Sequence, residues 1–155
     1  MAPETPPATV TGPILFAYDG SELAKLAIAE AGRQLAPGRE ALVVCVWQPA
    51  DVGFAAPTEL HLAAAHAPEV RKAAEETAAA GSALAEKAGF RAQSTAIEAA
   101  PTWKGIVEVA EERGASLIVL GSHDRRRLAG RLLGSVAAAV ATHSVRSVLI
   151  VHEQP

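Results

Sequence analysis

The chain has one cysteine in 155 residues. Cys45 lies inside an apolar run, so an intramolecular disulfide and a cysteine-built metal site are both excluded, and its own reading is a small core hydrophobe. Aromatic residues are only 4% of the chain, against a hydrophobic fraction of 50% inflated by alanine. A core poor in rings and rich in methyl groups suits helices packed closely on a sheet. Positive charge is not in excess either: the formal net charge of −3 removes the electrostatic basis for nucleic-acid binding by the chain as a whole. No apolar stretch approaches membrane-spanning length. The opening Met1, Ala2, Pro3 and Glu4 lack the basic start and apolar run of a secretory leader. A soluble cytoplasmic protein with no membrane or nucleic-acid partner is the expectation.

Several catalytic signatures are missing as well. No Gly-x-Ser-x-Gly elbow occurs, so Ser135 paired with His123 or His143 has no nucleophile turn and no acid to complete a triad. His61 and His66 are off the i, i+4 spacing of a shared helical metal face. A Walker A lysine motif is absent.

What is present is an alternation of strands and helices. Residues 1–13 (MAPETPPATVTGP) are rich in Pro and Thr and read as a disordered tail. Residues 14–18 (ILFAY) read as a first strand, followed by Asp19-Gly20-Ser21-Glu22, a turn with Ser21 as helix N-cap. Leu23, Leu26, Ala27 and Ala31 carry helical spacing to about Leu35, and Pro37-Gly38 breaks it. Residues 41–47 (ALVVCVW) form a second buried strand. A poorly periodic connection follows over 48–68, then an amphipathic helix over 69–88 that Gly89 ends. The more polar segment 91–97 reads as a third strand near an edge. Thr102 is the expected N-cap of the next helix, with Ile106, Val109 and Ala110 inward and Gly114 closing it. Residues 147–152 (SVLIVH) are the last strand.

The segment 117–136 (LIVLGSHDRRRLAGRLLGSV) is the most informative. Its opening apolar run, Leu117 to Leu120, suits a strand buried on both faces of a parallel sheet. The chain turns at Gly121, crosses an arginine-rich loop and reaches a helix that opens at Gly134-Ser135 and runs to about His143. A helix N-terminus leaves backbone N–H groups unpaired, and these favour an anion such as phosphate. Five strands alternating with four helical segments predict a single doubly wound α/β domain with a parallel sheet. Such sheets bind ligands at the carboxyl ends of the strands, where the winding reverses.

The pattern Gly121-x2-Asp124-x9-Gly134-Ser135, flanked by IVLGSH and RLLGSV, resembles the Gly-x2-Gly-x9-Gly-Ser/Thr loop of the universal stress protein (UspA-type) family. ILFAYDGS at the first strand and VVCVW at the second extend the resemblance across 14–151. It implies a universal stress protein domain over 14–152 and a five-stranded sheet in the order 3-2-1-4-5 with helices on both faces. It also implies ATP, or a related adenine nucleotide, as a regulatory ligand in the stress response, with or without Mg²⁺. Carried over residue by residue, Ala17, Tyr18 and Asp19 hold the adenosine end, and a carboxylate at 19 can accept from both ribose hydroxyls. Val46 packs the adenine, and Leu120 and Gly121 cap the fourth strand against base and ribose. His123 lies beside the phosphates, and Gly134, Ser135 and Val136 receive the terminal phosphates. The family's habit of pairing subunits through the last strand implies a homodimer through 148–151, with Val148 and Val151 at its ends, an apolar edge in need of cover.

Asp124 stands where the family has its second glycine. Two like charges about 4 Å apart repel by about 4 kcal/mol at an effective dielectric near 20. A helix N-terminus returns only about 0.3–1 kcal/mol to an anion. If the carboxylate points at a phosphate, the repulsion therefore outweighs that gain. Binding is restored if that side chain turns to solvent, if Arg125, Arg126, Arg127 or Arg131 neutralises it, or if it ligates a bridging Mg²⁺. Two alternatives stay open: a dimeric protein-interaction module of the same family that binds no nucleotide, and a slow ATP hydrolase.

Overall fold

The computed structural model describes residues 12–49, 67–122 and 133–154. The expected tail up to residue 11, most of the 48–68 connection and the arginine-rich loop lie outside them. The elements in chain order are β1 (Ile14–Ala17), α1 (Glu22–Gln34), β2 (Glu40–Trp47), α2 (Ala67–Lys87), β3 (Arg91–Glu98), α3 (Thr102–Glu112), β4 (Leu117–Gly121), α4 (Ser135–His143) and β5 (Ser147–Val151). All strand pairings are parallel, and the sheet order is β3-β2-β1-β4-β5. The doubly wound architecture and its 3-2-1-4-5 order are as expected.

Alternation along the strands sorts the core into two layers. Ile14, Phe16, Tyr18, Val43 and Val119 face one side, with Ala24, Ala27, Ile28 and Ala31 of α1 and Ala85 of α2. Leu15, Leu42, Val44, Ile118 and Leu120 face the other, with Ile106, Val109 and Ala110 of α3 and Ala137 and Val140 of α4. Fully burying an aliphatic side chain is worth roughly 1.5–3 kcal/mol. An exposed ion pair such as Arg71–Glu75 contributes at most about 1 kcal/mol. The apolar strand runs, not the surface charges, therefore hold the fold.

Small residues set the spacing between layers. A Cβ on Gly81 of α2 would fall 2.6 Å from Tyr18 Cδ1 and 2.8 Å from Val43 Cγ1. The scarcity of rings leaves one aromatic pair in this layer, Phe16 against Phe90, edge-on at 5.3 Å.

Local signals hold with small shifts. Ser21 caps α1, its hydroxyl accepting from the Ala24 N–H at 3.2 Å. Helix α2 starts at Ala67 rather than at residue 69; its Pro68 is tolerated because first-turn N–H groups need no partner. It ends before Gly89, whose φ of 104° only glycine adopts freely. Thr102 is not the cap of α3 but its first residue; Pro101 holds the cap position and no side chain caps the helix. The third strand is an edge strand, as its polarity suggested. Among the described residues no helix is long and apolar enough to cross a membrane.

Candidate functional site

The winding reverses between β1 and β4. The chain leaves β1 toward α1 on one face and leaves β4 toward α4 on the other, and the divergence opens a crevice at the strands' carboxyl ends. The crevice is a cavity of about 160 Å³. That is below the roughly 300–1,000 Å³ of a pocket enclosing a drug-sized ligand, so the described walls by themselves enclose only part of such a ligand.

Ala17, Tyr18, Asp19, Val46, Leu120, Gly121, Gly134, Ser135 and Val136 all line this cavity. His123 and Asp124, the remaining two expected site residues, lie outside the described residues. The structure thus brings together from β1, β2, β4 and α4 residues that stand far apart in sequence.

Each wall has a local cause. At the end of β1, the Ser21 N–H donates to Asp19 Oδ1 at 2.9 Å, so the aspartate shapes the turn into α1. A carboxylate offers about four acceptor positions, and this bond takes one; Asp19 is exposed and keeps capacity for a ligand. Tyr18 is buried and belongs to the α1/α2 layer. Burial raises its phenol above the ordinary tyrosine range; Lys25 opposes this, while Asp19 and Glu22 add to it. Gly121 meets the first turn of α1, where a Cβ would stand 2.7 Å from Leu23 Cγ and 3.2 Å from the Leu23 carbonyl oxygen. Packing alone therefore requires glycine there.

Among the described residues no side chain caps the helix opening. Gly134 caps α4 without a side-chain hydrogen bond, and the first helical bond runs from the Ala138 N–H to the Gly134 carbonyl at 2.9 Å. The N–H groups of Ser135, Val136 and Ala137 precede it and have no intrahelical acceptor. Gly134 is buried and Ser135 exposed, so the opening faces the cavity mouth.

Sequence reasoning missed one wall. Thr102 and Ile106, one turn apart on α3, line the cavity, as do Val44, the α1 cap Ser21 and the α1 residues Leu23 and Ala24. Val44 lies two residues before Val46 on the same strand face, a period-2 signal that was available. The α3 wall left none, because only the crossover from β3 brings that helix over β2. There a Cβ on Gly105 would lie 2.5 Å from Ala99 Cβ and 3.2 Å from Ile97 Cδ1. The ring stack of Trp103 on His143 at 4.2 Å ties α3 to α4, and an Arg146–Glu111 ion pair at 3.1 Å ties α3 to the start of β5. Among the described residues no group of three or more His, Cys, Asp or Glu is placed to hold a metal ion.

The universal stress protein family model matches residues 11–152. The chain belongs to the universal stress protein family. Universal stress protein MJ0577 of Methanocaldococcus jannaschii is 36% identical over 66 residues, a stretch covering 43% of this chain and 40% of that relative's length. The solved structure of MJ0577 superposes with a TM-score of 0.75 at 23% identity, covering 94% of this chain and 98% of that one. A universal stress protein solved in complex with cAMP superposes at 0.62 with 27% identity, over 92% and 97% of the two chains. The universal stress protein of Archaeoglobus fulgidus in complex with dAMP shares the fold, at 0.56 with 22% identity over 91% and 98%.

Proposed function

We propose that this universal stress protein binds ATP, or a related adenine nucleotide, in the β1/β4 crevice as a regulatory ligand of a stress response. The observation that carries the reading is the composition of one cavity: apolar strand ends beside a helix N-terminus that no described side chain caps. A planar base needs the first and a phosphate the second. The cAMP complex of a relative 27% identical supports the adenine class. In this reading Val46 and Leu120 hold the base, Asp19 the ribose, and Gly134, Ser135 and Val136 the phosphates, with Mg²⁺ accompanying a triphosphate. The role is binding: the nucleotide orders what it touches and shifts a conformational population in a cytoplasmic homodimer.

The test is the thermal unfolding midpoint without ligand, with Mg-ATP and with AMP. Ligand at about 100 times its Kd adds about 2.7 kcal/mol, roughly 5–10 °C for a domain of this size. Gly134→Val should keep the unliganded midpoint and lose the shift; an undiminished shift in that variant would remove the helix opening from the site. Asp124 favours a second reading, the nucleotide-free interaction module, and no shift with either ligand would select it. A shift with AMP alone would keep the adenosine end and make Asp124 a barrier to the longer phosphate chain. Steady phosphate release from ATP would select the slow hydrolase instead.

A further inference from the structure

The cavity's other polar side chains sit at the β1–α1 turn and at the α4 opening. Asp19 Oδ1 accepts the Ser21 N–H, and the Ser21 hydroxyl accepts the Ala24 N–H, so both are anchored at the β1–α1 turn, where Asp19 keeps acceptor positions for the ribose. Tyr18 packs in the α1/α2 layer, away from the apolar wall. Ser135 stands at the helix opening. The wall formed by Val44, Val46, Ile106 and Leu120 belongs to the opposite layer and is apolar except at one position.

That position is Thr102. It is the first residue of α3, half-buried, one turn above the buried Ile106. It lines both the main cavity and the adjoining groove formed with Gln48, Pro101, Trp103 and Val136. Its hydroxyl caps nothing, since the cap position carries no side-chain hydrogen bond, and the described residues give it no partner. Gly105, in the next turn of α3, seats the helix against Val46, whose Cγ1 would be 3.7 Å from a Cβ there. Thr102 therefore stands where the apolar wall of Val46 and Ile106 meets the rim of the cavity.

We infer that the Thr102 hydroxyl reads the polar edge of the nucleotide base and sets the preference for a purine carrying an exocyclic amine. The inference rests on the nucleotide reading above. A hydroxyl accepts from an amine and donates to a ring nitrogen, so it matches both groups that adenine presents side by side. The apolar wall cannot make this distinction, because it meets only the faces of the ring. A site that hydrogen-bonds a polar group discriminates against the analogue that lacks it, since its own partner is then left unpaired.

Isothermal titration of the full chain with AMP and with purine riboside 5′-monophosphate, which has hydrogen in place of the exocyclic amine, tests this. The wild type and Thr102→Ser should favour AMP by roughly two- to tenfold, the range of one neutral hydrogen bond. Thr102→Val should bind the two ligands alike, because AMP loses both bonds of the hydroxyl and the analogue only the one to its ring nitrogen. The unliganded thermal midpoint checks that Thr102→Val folds, and Thr102→Ala replaces it if it does not. An undiminished preference for AMP in the valine variant, or no preference in the wild type, overturns the role of Thr102 and leaves the nucleotide site standing. Failure of the wild type to bind either ligand overturns the nucleotide reading, and this inference with it.

Discussion

At the scale of single residues, positions of similar sequence promise take different parts. Tyr18 and Asp19 are adjacent, yet strand alternation sends the tyrosine into the α1/α2 layer while the aspartate stays exposed at the turn. Tyr18 is the only tyrosine, so phenolate absorbance during an alkaline titration reports on it alone. Burial disfavours the phenolate, so the folded chain should hold the proton above the ordinary value of 10.0. The unfolded chain releases it first. The associated stability is complete below about pH 10 and is lost as pH rises through the folded value. A titration midpoint above 10.0 is expected, together with a gentler alkaline loss of stability in Tyr18→Phe. A midpoint at or below 10.0 would contradict the burial. Asp19 was legible as a turn residue, and its bond to the Ser21 N–H shows that role while leaving acceptor positions for the proposed ribose contact.

At the scale of elements, helix α3 is the part of the site that local pattern could not supply. Its inward residues Ile106, Val109 and Ala110 were readable from periodicity, and all are buried. That its first turn also roofs the cavity depends on how closely it seats on β2 and β3. Gly105 permits that seating, since a Cβ there would meet Ala99 Cβ at 2.5 Å. Ala99 is a short side chain with no rotamer to yield, so Gly105→Ala should lift the helix. The expected loss is about 1–3 kcal/mol in urea unfolding, the usual cost of overpacking. Nucleotide affinity should fall as well, because Thr102 and Ile106 move with the helix. Unchanged stability would mean that α3 shifts freely along the sheet. Helix α4 is the contrasting case. Gly134-Ser135 marked its opening in the sequence, and the helix starts at Ser135.

At the scale of the whole molecule, the sheet ends in two edges of different character. β3 is polar and half-exposed, whereas β5 is short and apolar and, among the described residues, pairs only with β4. Val148 and Ile150 remain partly exposed beside the α3/α4 layer, and Val145, just before the strand, is 80% exposed. An unpaired apolar edge favours association with a like edge. Sedimentation equilibrium of the wild type should give twice the chain mass, and Val148→Asp should give a monomer with near-native circular dichroism. A monomeric wild type at micromolar concentration would remove the last strand as an interface.

The sequence by itself determined the order and type of the elements, because apolar period and turn chemistry are local. Runs such as LIVLG and ALVVCVW suit strands buried on both faces, and Ser21, Gly89 and Gly134 place helix ends through backbone groups that need partners or freedom. The motif with its flanks was enough for the family, and through the family for the strand order. Which residues share a wall was decided only by tertiary structure. Thr102 and Ile106 reach the cavity, Tyr18 turns away from its apolar side, and Gly121 is held by Leu23, each because a crossover lays a particular helix over a particular strand. Periodicity records which face of an element is apolar; it carries no record of the neighbour that face will meet.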